Sequence, residues 1–137
     1  MKMTRFIPEM VVVALLFVSS SVAQGTGTCR TRAADIRYGP EYQHCSGKST
    51  VEIQRCVDRL ARAWDRRLNI AYRRLMKENP QAKQLREAER LWVLFRNANC
   101  KYYGTEQGTL TIVQAAECTR SMTAHRALEL EEELKGR

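Results

Sequence analysis

The sequence predicts a small all-α domain, a three-helix bundle or antiparallel helical hairpin stapled by disulfides. Three observations carry this. Apolar residues recur at steps of three and four over long stretches, no run alternates in the manner of a strand, and five cysteines stand in a chain of 137 residues. A domain of this size buries a modest fraction of its surface and gains from covalent help.

The first helix is announced by Ser49-Thr50-Val51-Glu52. A serine or threonine followed three residues later by glutamate is a capping box, in which side-chain oxygens satisfy the free N–H groups of a helix start. Ile53, Val57, Leu60, Trp64, Leu68, Tyr72 and Leu75 then mark one helical face. Asn79-Pro80 ends it, because proline disfavours helix in the residue before it. A second helix places Leu85, Ala88, Trp92, Phe95 and Tyr102 on one face and ends before Gly104. The turn from Gly104 to Gly108 leads into a third helix, from about Thr109 to Leu134, with Ile112, Ala115, Ala116, Met122 and Leu128 as its expected core. Trp64, Leu68, Tyr72, Trp92 and Phe95 are expected inside, and Asn69 is expected to make a polar contact between helices.

This plan pairs the cysteines. Cys100 and Cys118 flank the turn, so an antiparallel hairpin brings them together, and Cys45 with Cys56 ties the preceding segment to the first helix. Connectivity is an expectation at this level, and Cys29 is left either free or joining two chains. No C-x-x-C pair points to a metal.

The N-terminus reads as an export signal over residues 1–23. Lys2 and Arg5 precede the apolar run Met10 to Val18, and small residues lead to an expected cut after Ala23. The run is about half of what a bilayer crossing requires. Cleavage would leave a periplasmic or secreted chain of about 114 residues, with about +7 of the formal +8 charge. Within it, residues 24–48 contain Gly25, Gly27, Gly39, Pro40 and Gly47 without periodicity and read as a loose arm, and residues 49–137 as the helical domain.

Several ordered residues resemble a known family. A cysteine, Thr50-Val51-Glu52 and Cys56 open the match, and Leu68, Asn69, Tyr72, Leu75 and Met76 continue it. Leu85, Ala88, Trp92, Arg96 and Cys100 follow as L-x-x-A-x-x-x-W-x-x-x-R-x-x-x-C, and then come Ala115-Ala116, Cys118, Thr123, Arg126 and Leu130. From Cys45 to Leu130 the chain is similar to the N-terminal domain of the LprI-like lysozyme inhibitors, small exported bacterial helical proteins. The arm with Cys29 lies outside this match, and the turn departs from the family's usual glycine pair with Gly104 and Gly108. The resemblance implies a non-enzymatic binding protein whose partner is a lysozyme or related muramidase.

The residues themselves offer little chemistry. His44 and His125 stand near no nucleophile motif, and neither a phosphate loop nor a dinucleotide fingerprint is present. No catalytic residue, metal or cofactor is expected. Two binding surfaces are. One is the turn with its flanks, Lys101, Tyr102, Tyr103, Thr105 and Gln107, with Arg96 and Arg126 as pairing or contact residues. The other is a stripe of Arg55, Arg59, Arg62, Arg66, Arg73 and Lys77 along the first helix. Residues 50–78 hold eight basic and four acidic side chains, a net +4, which suits an anionic envelope lipid or polymer. Nucleic acid would fit the charge, but export argues against it.

Overall fold

The computed structural model describes residues 37–77, 79–105 and 107–136. Among them the elements are α1 (Pro40–Gln43), α2 (Thr50–Lys77), α3 (Ala82–Tyr103) and α4 (Thr111–Lys135), with no strand. Residues 1–36, including the expected signal and Cys29, lie outside the described residues.

α2 begins as its capping box requires. The Ser49 hydroxyl donates to Glu52 Oε2 at 2.6 Å, the Ser49 N–H donates to the same oxygen at 3.1 Å, and the Glu52 N–H returns a bond to Ser49 Oγ at 3.4 Å. These hydrogen bonds hold the exposed Glu52 carboxyl below its ordinary pKa. At the other end, the Asn79 side chain accepts from the Gln81 N–H at 2.9 Å and shapes the Pro80 turn into α3.

The three long helices run up, down and up. α2 and α4 are therefore parallel and make the largest contact, while α3 lies antiparallel, chiefly on α4. Trp64, Leu68, Ala71 and Leu75 of α2 pack against Ala124, Ala127 and Leu130 of α4, with Tyr72, Leu85, Trp92, Leu128 and Leu134 around them. A smaller cluster at the other end joins Cys45, Val57 and Ala116. Small residues on α4 let α2 approach closely. Ala127→Leu should therefore overpack this seam and destabilise by about 1–3 kcal/mol, visible as a lower denaturation midpoint with an unchanged slope.

Both disulfides are in place. Cys45–Cys56 and Cys100–Cys118 have Cα atoms 5.6 and 5.4 Å apart, inside the range a disulfide spans.

Five residues differ from the sequence expectation. Phe95 is 60% exposed, Tyr102 65% and Ile112 41%, and Ala88 is exposed as well. For the α3 residues the reason is that this helix meets α4 through the face with Leu85, Glu89, Trp92, Arg96, Asn99 and Cys100, half of it polar. Partners on α4 hold that face down. Arg126 Nε donates to Glu89 Oε1 at 2.8 Å, Arg96 Nη1 to Thr123 Oγ1 at 3.1 Å, and the Asn99 amide to Met122 Sδ at 3.3 Å. These bonds and the Cys100 disulfide outweigh the apolar count of the neighbouring face. Asn69 differs too. Its amide donates back to the Asp65 carbonyl at 2.7 Å and to Asp65 Oδ2 at 3.0 Å, within α2, so it satisfies itself locally.

α4 is the most buried element, with Thr111, Glu117, Arg120, Ser121 and Thr123 inside as well as its apolar residues. A helix flanked on several sides shows no one-sided pattern.

Candidate binding surface

The turn between α3 and α4 is built by the ends of both helices. The Gly104 N–H donates to the Lys101 carbonyl at 2.9 Å and the Thr105 hydroxyl to the Tyr102 carbonyl at 2.6 Å, closing α3. At the start of α4, the Thr111 hydroxyl donates to the Gly108 carbonyl at 2.8 Å. Gly108 has φ +126°, a conformation that side chains rarely adopt. A Cβ on Gly104 would stand 3.4 Å from Ala115 Cβ, so the turn lies close against α4. Below it, the Cys100–Cys118 link clamps both helices.

This arrangement brings Lys101, Tyr102, Thr105 and Gln107 together as exposed groups on a fixed base. Tyr103 is half-buried. The Arg37 guanidinium lies 4.0 Å from its ring centroid, and Tyr102 meets its edge at 5.4 Å. Beside the turn a groove of about 530 Å³ opens between α2 and α3, lined among others by Gln54, Asp58, Asn97, Lys101, Ile112 and Thr119. Polar Gln54, Asp58, Asn97 and Lys101 line it together with apolar Ala115 and Ala116.

Arg96 and Arg126 are not brought to the turn. Arg96 sits five residues before Lys101, about 7–8 Å down the helix axis. It reaches Thr123, lies 5.0 Å from the Trp92 ring centroid and comes within 3.9 Å of Asp65, so it links all three long helices. Arg126 joins Glu89 of α3 to Glu129 of its own helix. Burial works against its charge, but the bonds from Glu129 and Glu89 prevail and raise its pKa. His125 lies exposed 3.9 Å from Glu129, and His44 caps α1 beside the first disulfide.

The stripe on α2 lies opposite the core. Arg55, Arg59, Arg62, Arg66, Arg73 and Lys77 are all exposed, about half a turn around from Val57, Trp64, Leu68 and Leu75. None of the six forms an ion pair among the described residues. Arg67, which runs alongside, grips Glu131 of α4 at 2.9 and 2.7 Å and lies 4.0 Å from the Trp64 ring centroid.

Sequence reasoning missed a buried polar cluster under the N-terminal segment. Arg120 and Glu117 are both 0% exposed. Arg120 Nε and Nη2 donate to the two Glu117 oxygens at 2.7 Å each, and Nη1 donates to Glu41 Oε2 at 2.8 Å. The same Glu41 oxygen accepts from Trp64 Nε1 at 2.8 Å, and Glu117 Oε1 accepts from the Tyr38 N–H at 2.8 Å. Burial opposes the Arg120 charge, yet its two carboxylate partners raise its pKa above the ordinary value. The cluster docks residues 38–41 onto α2 and α4. The signal that could have found it was Glu117 three residues before Arg120 on a helix rich in small residues.

No helix of the described residues is long and apolar enough to cross a membrane, and no group of acidic, histidine or cysteine side chains among them could hold a metal. Neither the curated proteins nor the solved structures contain a match to this chain. The family model described as lysozyme inhibitor LprI matches residues 43–130, more than half of the chain. It covers α2, α3, both disulfides and most of α4, the elements that carry the turn. This chain belongs to the LprI lysozyme inhibitor family.

Proposed function

We propose that the protein acts outside the cytoplasm, after loss of its N-terminal signal, by binding a lysozyme and obstructing its substrate cleft with the α3–α4 turn. The observation that supports this reading is a turn clamped by the Cys100–Cys118 disulfide, with Lys101, Tyr102, Thr105 and Gln107 exposed on it. Fixing a loop before binding lowers the ordering cost of association. Lysozyme clefts carry two carboxylates, so the Lys101 ammonium offers a complementary charge. Tyr102 supplies aromatic contact area of the kind that dominates protein interfaces. The action is occlusion, without chemistry on the partner.

Charge sets a limit on this picture. The chain is formally +8, and animal lysozymes of the common type are also basic, so long-range attraction is absent and affinity must come from the contact itself. Lysis of bacterial walls by lysozyme, followed while the oxidised protein is titrated in, tests the proposal. Saturating inhibition at a defined stoichiometry is expected. Lys101→Ala with Tyr102→Ala should weaken it at least about tenfold. Undiminished inhibition by that pair would exclude the turn as the contact. Tyr103 is a poorer probe because its ring also packs on Arg37.

A second reading rests on the α2 stripe, in which the protein holds an anionic lipid or wall polymer at the envelope. Six exposed basic side chains without ion-pair partners among the described residues favour it. Such binding should fade steeply as salt rises through the range where screening acts over about 8 Å. Inhibition through the turn should fade less.

A further inference from the structure

α3 carries a stripe that the fold leaves uncovered. Ala88, Leu91, Phe95, Ala98 and Tyr102 follow one another at alternating steps of three and four, and all are exposed. Leu91 is 51% exposed, Leu94 beside it 54%, Phe95 60% and Tyr102 65%. Scattered apolar residues on a surface are ordinary, but an unbroken seam at coiled-coil spacing is not. The groove beside the turn adjoins one edge of this seam, where Lys101 lines it together with Asn97.

We propose that this seam is the contact between two copies of the chain, related by a twofold axis with their α3 helices antiparallel. The charge pattern points to a second copy. Glu87, Leu94 and Lys101 stand seven residues apart along one edge of the seam, with the acid at one end, an apolar centre and the base at the other. In an antiparallel pair, each edge position meets the opposite end of the same edge. Glu87 then faces the partner's Lys101, Leu94 packs on its own equivalent, and Lys101 faces the partner's Glu87. Within the seam, Phe95 falls against the partner's Leu91 and Ala88 against the partner's Ala98, so bulky residues meet at the centre and small ones beside them. In a parallel pair the two copies of this edge lie on opposite sides of the contact, and Glu87 and Lys101 find no mutual partner. Glu87 is bonded to Arg90 within its own helix, but both side chains are more than half exposed, and such pairs contribute little. One helix pair covers less than the roughly 1,200 Å² of a stable standard interface, so the dimer is reversible, and it competes with a lysozyme for Lys101 and Tyr102.

Sedimentation of the full chain, as processed by an exporting host and carrying Cys29→Ser to prevent a disulfide between copies, tests the proposal. Sedimentation should rise with protein concentration from monomer to dimer, and Phe95→Asp should abolish the rise while helical circular dichroism is unchanged. Glu87→Lys and Lys101→Glu should each weaken the dimer about tenfold, because each alters two symmetry-related contacts. Combining the two should restore association to within about threefold of the parent. A monomer at every concentration would overturn the proposal and leave the seam to a different protein, a lysozyme included. A dimer indifferent to Phe95→Asp, or a charge swap that restores nothing, would overturn it as well.

Discussion

Arg120→Met is expected to destabilise the protein by about 3–5 kcal/mol, the typical cost of removing one partner from a buried ion pair. The physical reason is what remains. Glu117, 0% exposed, would keep only the Tyr38 N–H of the partners described above, and Glu41 would keep only Trp64. A buried carboxylate stripped of its cation either takes up a proton or draws in water, and each outcome loosens the helices around it. Denaturant unfolding checks this directly. Arg62→Met, on the exposed stripe of α2, serves as control and should stay within about 0.5 kcal/mol of the parent. Combining Arg120→Met with Glu117→Leu should recover part of the loss, since an apolar pair can replace a buried ion pair when both charges leave together. If Arg120→Met were no worse than Arg62→Met, the cluster would not be holding residues 38–41 to the bundle.

Opening the second disulfide, by Cys100→Ser with Cys118→Ser, should cost about 3 kcal/mol. The two cysteines are separated by 18 residues, and closing a loop of that length restricts the unfolded chain by about this amount. In a domain of this size that corresponds to a fall in melting temperature of roughly 12–24 °C. The functional effect should exceed the loss of folded protein. At a temperature where the variant is still folded by circular dichroism, lysozyme inhibition should fall further, because the turn loses its fixed base. Cys45→Ser with Cys56→Ser is the matched comparison. It releases the segment leading into α2 at the same end of the bundle but leaves both ends of the turn tied by Cys100–Cys118, and should lower stability while leaving the inhibition of the folded fraction near that of the parent. Equal inhibition by both variants would separate the turn from the binding surface.

The long helices and their ends were legible because each is specified locally. Ser49 and Glu52 cap α2 through their own side chains, Pro80 interrupts the chain wherever it packs, and Gly108 permits a backbone shape closed to other residues. The apolar face of α2 was equally plain, since Val57, Trp64, Leu68 and Leu75 repeat with the helix. The pairing of Cys100 with Cys118 followed from hairpin geometry. The basic stripe could also be named from spacing, because a surface opposite a core face needs no partner to define it.

Tertiary structure alone decided which face of α3 turns inward. Two stripes compete on that helix, and the more apolar one, with Phe95 and Leu91, lost to the one with Glu89, Arg96 and Asn99. Those polar residues have value only opposite Arg126, Thr123 and Met122, and no local rule supplies such partners. The same holds for α4, whose burial on several sides erases the periodicity that marks a one-sided helix. It holds also for Glu41, Glu117 and Arg120, ordinary charged residues in sequence that become a buried cluster only when distant segments meet. Local chemistry determined where the helices begin and end and how the cysteines join them. Long-range pairing determined which side chains face the interior, because the cost of burying a charge depends on what stands across from it.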